Sequence, residues 1–350
     1  MIVSFVAALL IGLAAWTGSQ AGLQYLFGMA LPLLAVVVFI GGMIWRVLYW
    51  AKSPVPFAIP TTGGQERSLD WIKPARLDTP TTKAGVVGRM LLEVLLFRSL
   101  FRNTVTRVDP QNMRITYFSS KWLWLFALLF HYCFLVTFIR HFRFFLEPVP
   151  ICLEWVEFFD GILQVGAPTL FISNVLIVCA LAFLFLRRLV NPKLRYISMA
   201  NDYFPLFIII GLVSTGICMR YFDKIDVAQA KVFIMGLVHF SPQSVEGLNP
   251  LFFTHLTFLS VLLIIFPFSK LVHMGGVFLS PTRNLPCNTR QVRHVNPWNK
   301  PTVFHTYAEY EDDFREPMAE AGLPLEISLE EAQAHDNKTS GKPVEPASAQ

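Results

Sequence analysis

Four of this chain's eight histidines fall inside two long apolar stretches. His131 and His141 share the stretch from roughly 120 to 145, and His255 and His273 share the one from roughly 251 to 274. Ionisable side chains are expensive in a bilayer and are kept there for function. Two imidazoles meeting across a gap between helices are natural axial ligands for a low-spin haem, which passes electrons without binding oxygen. The five cysteines, Cys133, Cys152, Cys179, Cys218 and Cys287, stand singly, with no C-x-x-C pair. That spacing argues against a cysteine-held iron–sulfur cluster, a zinc site and a covalently attached haem.

The elements that must position these rings are membrane helices. Of the 350 residues, 54% are hydrophobic and only 15% charged, with 32 phenylalanines. A span needs about 20 mostly apolar residues, and the sequence offers five, at roughly 24–48, 120–145, 167–186, 203–222 and 251–274. The stretch from Ile2 to about Gly18 lacks a basic start and an A-x-A cleavage site, so it reads as an extra N-terminal span within 1–20. The predicted fold class is all-α, a polytopic membrane helix bundle. Its di-haem cytochrome b domain covers 21–280, with a cytoplasmic loop at 50–118 and a C-terminal extension at 281–350.

Lys and Arg collect on the cytoplasmic side of a membrane protein. Between Ala51 and Phe118 ten of them stand against five acids, and Arg187, Arg188, Lys193 and Arg195 stand with no acid. Both segments are predicted inside, and so is the C-terminus. The stretch 147–166, with Glu147, Glu154, Glu157 and Asp160 and no base, is predicted outside. The net charge of +5 is this topology signal and gives no ground for nucleic-acid binding.

The two histidine-bearing helices then run antiparallel. His131 pairs with His273 near the inner face and His141 with His255 near the outer face, which makes a path for electrons across the membrane. The ladders do not match level for level: at about 1.5 Å per residue one spacing is about 15 Å and the other about 27 Å. Tilted helices or a kink at Pro267 have to absorb the difference. A histidine-dependent transporter or a purely structural anchor is the rival reading, although the chain shows no Gly/Pro-broken helix pairs or matched halves.

The run Phe266-Pro267-Phe268-Ser269-Lys270-Leu271-Val272-His273, with His255 upstream and the ten-residue pair His131 and His141, resembles the gamma subunit of respiratory nitrate reductase. Arg187-Arg188-Leu189-Val190-Asn191-Pro192-Lys193-Leu194-Arg195 is similar to that family's inner loop. The likeness covers roughly residues 24–280. The long loop and the C-terminal extension are similar to the DsrM branch, the cytochrome b of the DsrMKJOP membrane complex of sulfur metabolism. The resemblance implies two haem b groups and oxidation of menaquinol near the outer one. It also implies delivery through the inner haem to a cytoplasmic iron–sulfur subunit, DsrK-like and related to heterodisulfide reductase, beside other membrane and periplasmic subunits.

Quinol oxidation needs a proton acceptor near the outer pair. Where the family carries a lysine, this chain reads Phe159-Asp160-Gly161-Ile162-Leu163-Gln164. Asp160, Glu157 and Gln164 are the candidates, against the simpler reading of acids solvated on an exposed outer loop. Arg140 and Arg143 sit at the outer end of their helix, where bases are normally avoided. They are expected to bind haem propionates, with snorkelling into lipid headgroups the competing use. Lys270 and Arg46 are the inner counterparts. Ala84 to Phe101 reads as one interfacial helix on the inner leaflet, packed on lipid or on a partner. The acidic stretch Glu309 to Glu331 could clamp a cytoplasmic subunit. The composition from there to Gln350 is too polar for a core, and its end is predicted disordered.

Overall fold

A computed structural model of the protein describes residues 1–53, 71, 73, 75–161, 168–241, 247–288 and 304–332. They belong to two units, Met1–Trp298 and Asn299–Gln350. The first opens with α1 (Ile2–Gln20) and α2 (Leu31–Ala51), the latter entered through a π turn at Leu26–Ala30. There follow α3 (Lys83–Leu96), α4 (Arg98–Phe101) and an antiparallel hairpin of β1 (Thr104–Asp109) and β2 (Arg114–Ser119). Next come α5 (Lys121–His141), α6 (Ile151–Asp160), α7 (Ile172–Val190), α8 (Pro192–Ile197), α9 (Ala200–Tyr221) and α10 (Val227–Val238). The unit closes with α11 (Pro250–Ile265), α12 (His273–Gly276) and α13 (Pro281–Asn284).

Six of these helices, α1, α2, α5, α7, α9 and α11, are long and apolar enough to cross a membrane. Apolar helices satisfy this solvent because every backbone group is bonded within its own segment. The protein is an integral membrane protein of the all-α class, and the short hairpin is a departure from it. The centre of the bundle is α11, whose Phe253, Ser260 and the following Pro267 are fully buried. It packs against α1, α2 and α9, while α5 packs along α7. Glycines permit the close approaches: a Cβ at Gly12 or Gly211 would stand 2.9 or 2.8 Å from the Phe258 ring, as small residues do at membrane helix interfaces.

Two segments depart from their predicted continuity. The span read over 251–274, for which a kink at Pro267 is one way to fit its two histidines, ends as an α-helix at Ile265. Pro267 has no N–H to continue the ladder, so a 3-10 turn at Phe266–Phe268 follows and Ser269 turns extended, with φ −112° and ψ 178°. The Ser269 hydroxyl then accepts from Leu271 N at 3.2 Å and starts a second 3-10 turn that leads into His273. Arg46 Nε donates to the Pro267 carbonyl at 3.0 Å, satisfying an acceptor next to the break. The interfacial helix expected over Ala84 to Phe101 is cut at Phe97, which takes a left-handed φ of 50° and separates α3 from α4. Asp78 holds this corner by accepting from Arg98 at 2.5 Å and from Arg102.

The second unit contains α14 (Tyr307–Glu320), which starts in a capping box between Thr306 and Glu309. The sequence suggested no packed structure here. Instead Glu311 is 1% exposed, and its carboxylate accepts from Glu326 N at 2.8 Å and Ile327 N at 3.0 Å, tying the following turn to the helix. The C-terminal stretch predicted to be disordered lies outside the described residues.

Candidate functional site

Among the described residues, α5 and α11 share no close-packed stretch, and the four histidines face one another across the space between them. The rings of His131 and His273 lie 6.0 Å apart, centre to centre, with planes at 81°. Those of His141 and His255 lie 6.3 Å apart with planes at 12°. Two imidazoles on one metal, each bound through nitrogen at about 2 Å, place their ring centres about 6 Å apart. Both pairs therefore have the spacing of axial ligands on a single iron. The break in α11 removes the conflict between the two ladders, because His273 no longer stands where a continuous helix would carry it.

Hydrogen bonding decides which nitrogen is available. His131 Nδ1 lies 2.7 Å from the Ala127 carbonyl, His141 Nδ1 2.6 Å from that of Thr137, and His273 Nδ1 2.7 Å from that of Lys270. A carbonyl can only accept, so each Nδ1 carries the proton and each Nε2 keeps its lone pair. His255 Nδ1 meets the Thr215 hydroxyl at 2.9 Å. Ligating histidines usually donate their second N–H in this way, which sets tautomer and ring angle. Among the described residues no group of three or more His, Cys, Asp or Glu is arranged to hold a bare metal ion; the donor set at each pair is two imidazoles.

At the C-terminal end of α5, Arg140 forms a buried ion pair with Asp160, side chains 10% and 6% exposed. Asp160 had been expected on an exposed loop. It ends α6 instead and also accepts from Ser173 N at 2.8 Å and Ser173 Oγ at 2.6 Å, tying α5, α6 and α7 together. Phe171 lies between two guanidinium groups, with Arg140 Cζ 3.4 Å and Arg220 Cζ 3.8 Å from its ring centre. Arg140 Nε and Arg220 Nε are buried with no hydrogen-bond partner, which suits them to an incoming carboxylate. Arg143 pairs with Glu157 at 2.6 Å nearer the surface. In the turn before His273, Lys270 pairs with Asp202 at 2.5 Å. Gln164 lies outside the described residues.

Over residues 86–292 the sequence matches the family of the nitrate reductase gamma subunit. The chain belongs to that family. The match starts after α1 and α2, so this gamma-family protein carries both helices ahead of the shared part. It is 44% identical over 285 residues to the Hdr-like menaquinol oxidoreductase cytochrome b-like subunit of Archaeoglobus fulgidus, covering 79% of this chain and 85% of the relative. The protein of the same description from Archaeoglobus profundus is 42% identical over 277 residues, covering 77% and 82%.

Several site residues of this gamma-family chain were not legible in its sequence. Ser173, Phe171 and Arg220 complete the cluster around Arg140, and Thr215 braces His255 from 40 positions away. Lys231, on α10, pairs with Glu147 and, with His239 and Ser241, lines an open groove of about 420 Å³. The groove has a lysine, which the sequence beside Asp160 lacks. The other face of α10 belongs to a core that includes Phe144, whose ring lies 5.9 Å from that of His141. No spacing rule connects α10 to α5, so only the tertiary fold brings them together.

Proposed function

We propose that this protein is the di-haem cytochrome b of a quinol-oxidising membrane complex. In this reading menaquinol gives up electrons near His141 and His255. They leave near His131 and His273 for a cytoplasmic, heterodisulfide reductase-like iron–sulfur subunit of a DsrMKJOP-type assembly in sulfur metabolism. The observation that carries the reading is the pairing of four imidazoles at 6.0 and 6.3 Å with Nδ1 already committed in each. Haem b, when bound, supplies reversible one-electron exchange. His131 and His273 hold the inner group and His141 and His255 the outer one. Arg140 and Arg143 answer the outer propionates, and Arg46 and Lys270 the inner ones.

The protons of the quinol need acceptors open to the outside. Asp160 already holds three donors, so Glu157, or Glu147 and His239 along the α10 groove, is better placed to take them. The acid-rich outer side and base-rich inner side support an inner C-terminus. The purified chain should show the alpha and Soret bands of reduced low-spin haem, at two haems per chain. His141→Ala or His255→Ala should each remove one haem and leave the other, as should His131→Ala or His273→Ala for the inner site. Full haem content in all four variants would overturn the ligand assignment.

A further inference from the structure

Three of the four rings are braced by carbonyls of their own chain segment, which side-chain substitution cannot remove. His255 is braced by a side chain of a neighbouring helix, Thr215 Oγ1 of α9. The hydroxyl proton has acceptors of its own in the Gly211 carbonyl at 2.8 Å and the Leu212 carbonyl at 3.0 Å. The Thr215 oxygen is therefore left to accept, and the ring donates from Nδ1. Back-bonding to the preceding turn is ordinary for a threonine in an apolar helix; the bond to His255 is what lies beyond it. The next residue, Gly216, faces the same ring, and a Cβ there would stand 3.2 Å from His255 Cε1.

We propose that α9 is the positioning element of the outer haem site, with Gly216 giving the His255 ring its place and Thr215 setting its tautomer and donor strength. The inference rests on the di-haem reading. Donation from Nδ1–H to an oxygen makes Nε2 a stronger base. A stronger axial base favours oxidised iron, so loss of the acceptor raises the midpoint potential of that haem alone.

The test is a spectroscopic redox titration of the full-length holoprotein in detergent as wild type, Thr215→Val and Thr215→Ser. The valine variant should show one midpoint shifted upward and the other unmoved. The serine variant, which keeps the hydroxyl, should match the wild type. Near-parallel rings identify the outer component by a rhombic ferric EPR signal, and Gly216→Ala should alter that signal without changing the other. Unmoved midpoints in Thr215→Val, or an equal shift in Thr215→Ser, would overturn the proposal. If the valine variant does not fold, Thr215→Ala compared with Thr215→Ser reads the same difference. A wild type lacking reduced low-spin bands would instead sink the di-haem reading itself.

Discussion

Arg140 and Arg143 carry the same charge at the same end of α5, yet they answer to different physics. The Arg140–Asp160 pair is buried, whereas Arg143 and Glu157 are 41% and 28% exposed. Removing one partner of a buried pair strands the other charge, at about 3–5 kcal/mol, while an exposed pair is worth under about 1 kcal/mol. Arg140→Ala should accordingly lower unfolding stability in detergent far more than Arg143→Ala. Equal losses in chemical denaturation would show that water reaches both pairs alike. The two arginines differ because Ser173 and Phe171 close over only one of them, and neither residue is near Arg140 in sequence.

At the scale of elements, the end of α11 sets the inner site. Pro267 and the extended Ser269 re-aim the chain before His273, and Gly42 gives Pro267 room, since a Cβ there would be 2.8 Å away. Pro267→Ala restores the missing N–H and should disturb the inner pair first. One haem component should broaden or disappear from the visible spectrum while the other keeps its band; an unchanged spectrum would show that the break does not depend on the proline. The corner between α3 and α4 depends on charge. Hydrogen bonding from Arg98, ahead of its other interactions, holds the Asp78 carboxyl below its ordinary value. A depressed folded value means the stabilisation is complete above the unfolded pKa of about 3.9 and is lost as pH falls through the folded one. Amide exchange of α4, corrected for its intrinsic rate, should therefore rise only below about pH 4, and Asp78→Asn should show the raised exchange at neutral pH.

For the molecule as a whole, the decisive question is which face of the bundle looks outward. The acids of 147–166 predict that α6 lies outside; Cys152 on it is exposed, the likewise exposed Cys179 lies within the apolar α7 span, and Cys133 and Cys287 are buried. A membrane-impermeant maleimide added to intact cells should label the protein at Cys152, and Cys152→Ser should abolish the label. Labelling only in inverted vesicles would reverse the topology and with it the assignment of inner and outer pairs. The same face carries the Glu147–Lys231 groove and the arginine cluster, so one orientation measurement fixes the side of every outer feature.

The spans and the membership of the two histidine pairs are legible in the sequence because they depend on local quantities: apolar length, charge between spans, and position along a helix. His131, His141, His255 and His273 stand out because a polar ring in a long apolar run is rare. What depends on contact between distant segments was not readable. The break after Ile265 is signalled by Pro267, but its consequence for His273 needs Arg46 and Gly42 of α2 to receive it. Asp160 looked like a solvated loop acid because burial is a property of α5, α6 and α7 together. Thr215 is one threonine in an apolar helix until the packing of α9 on α11 sets its hydroxyl against His255.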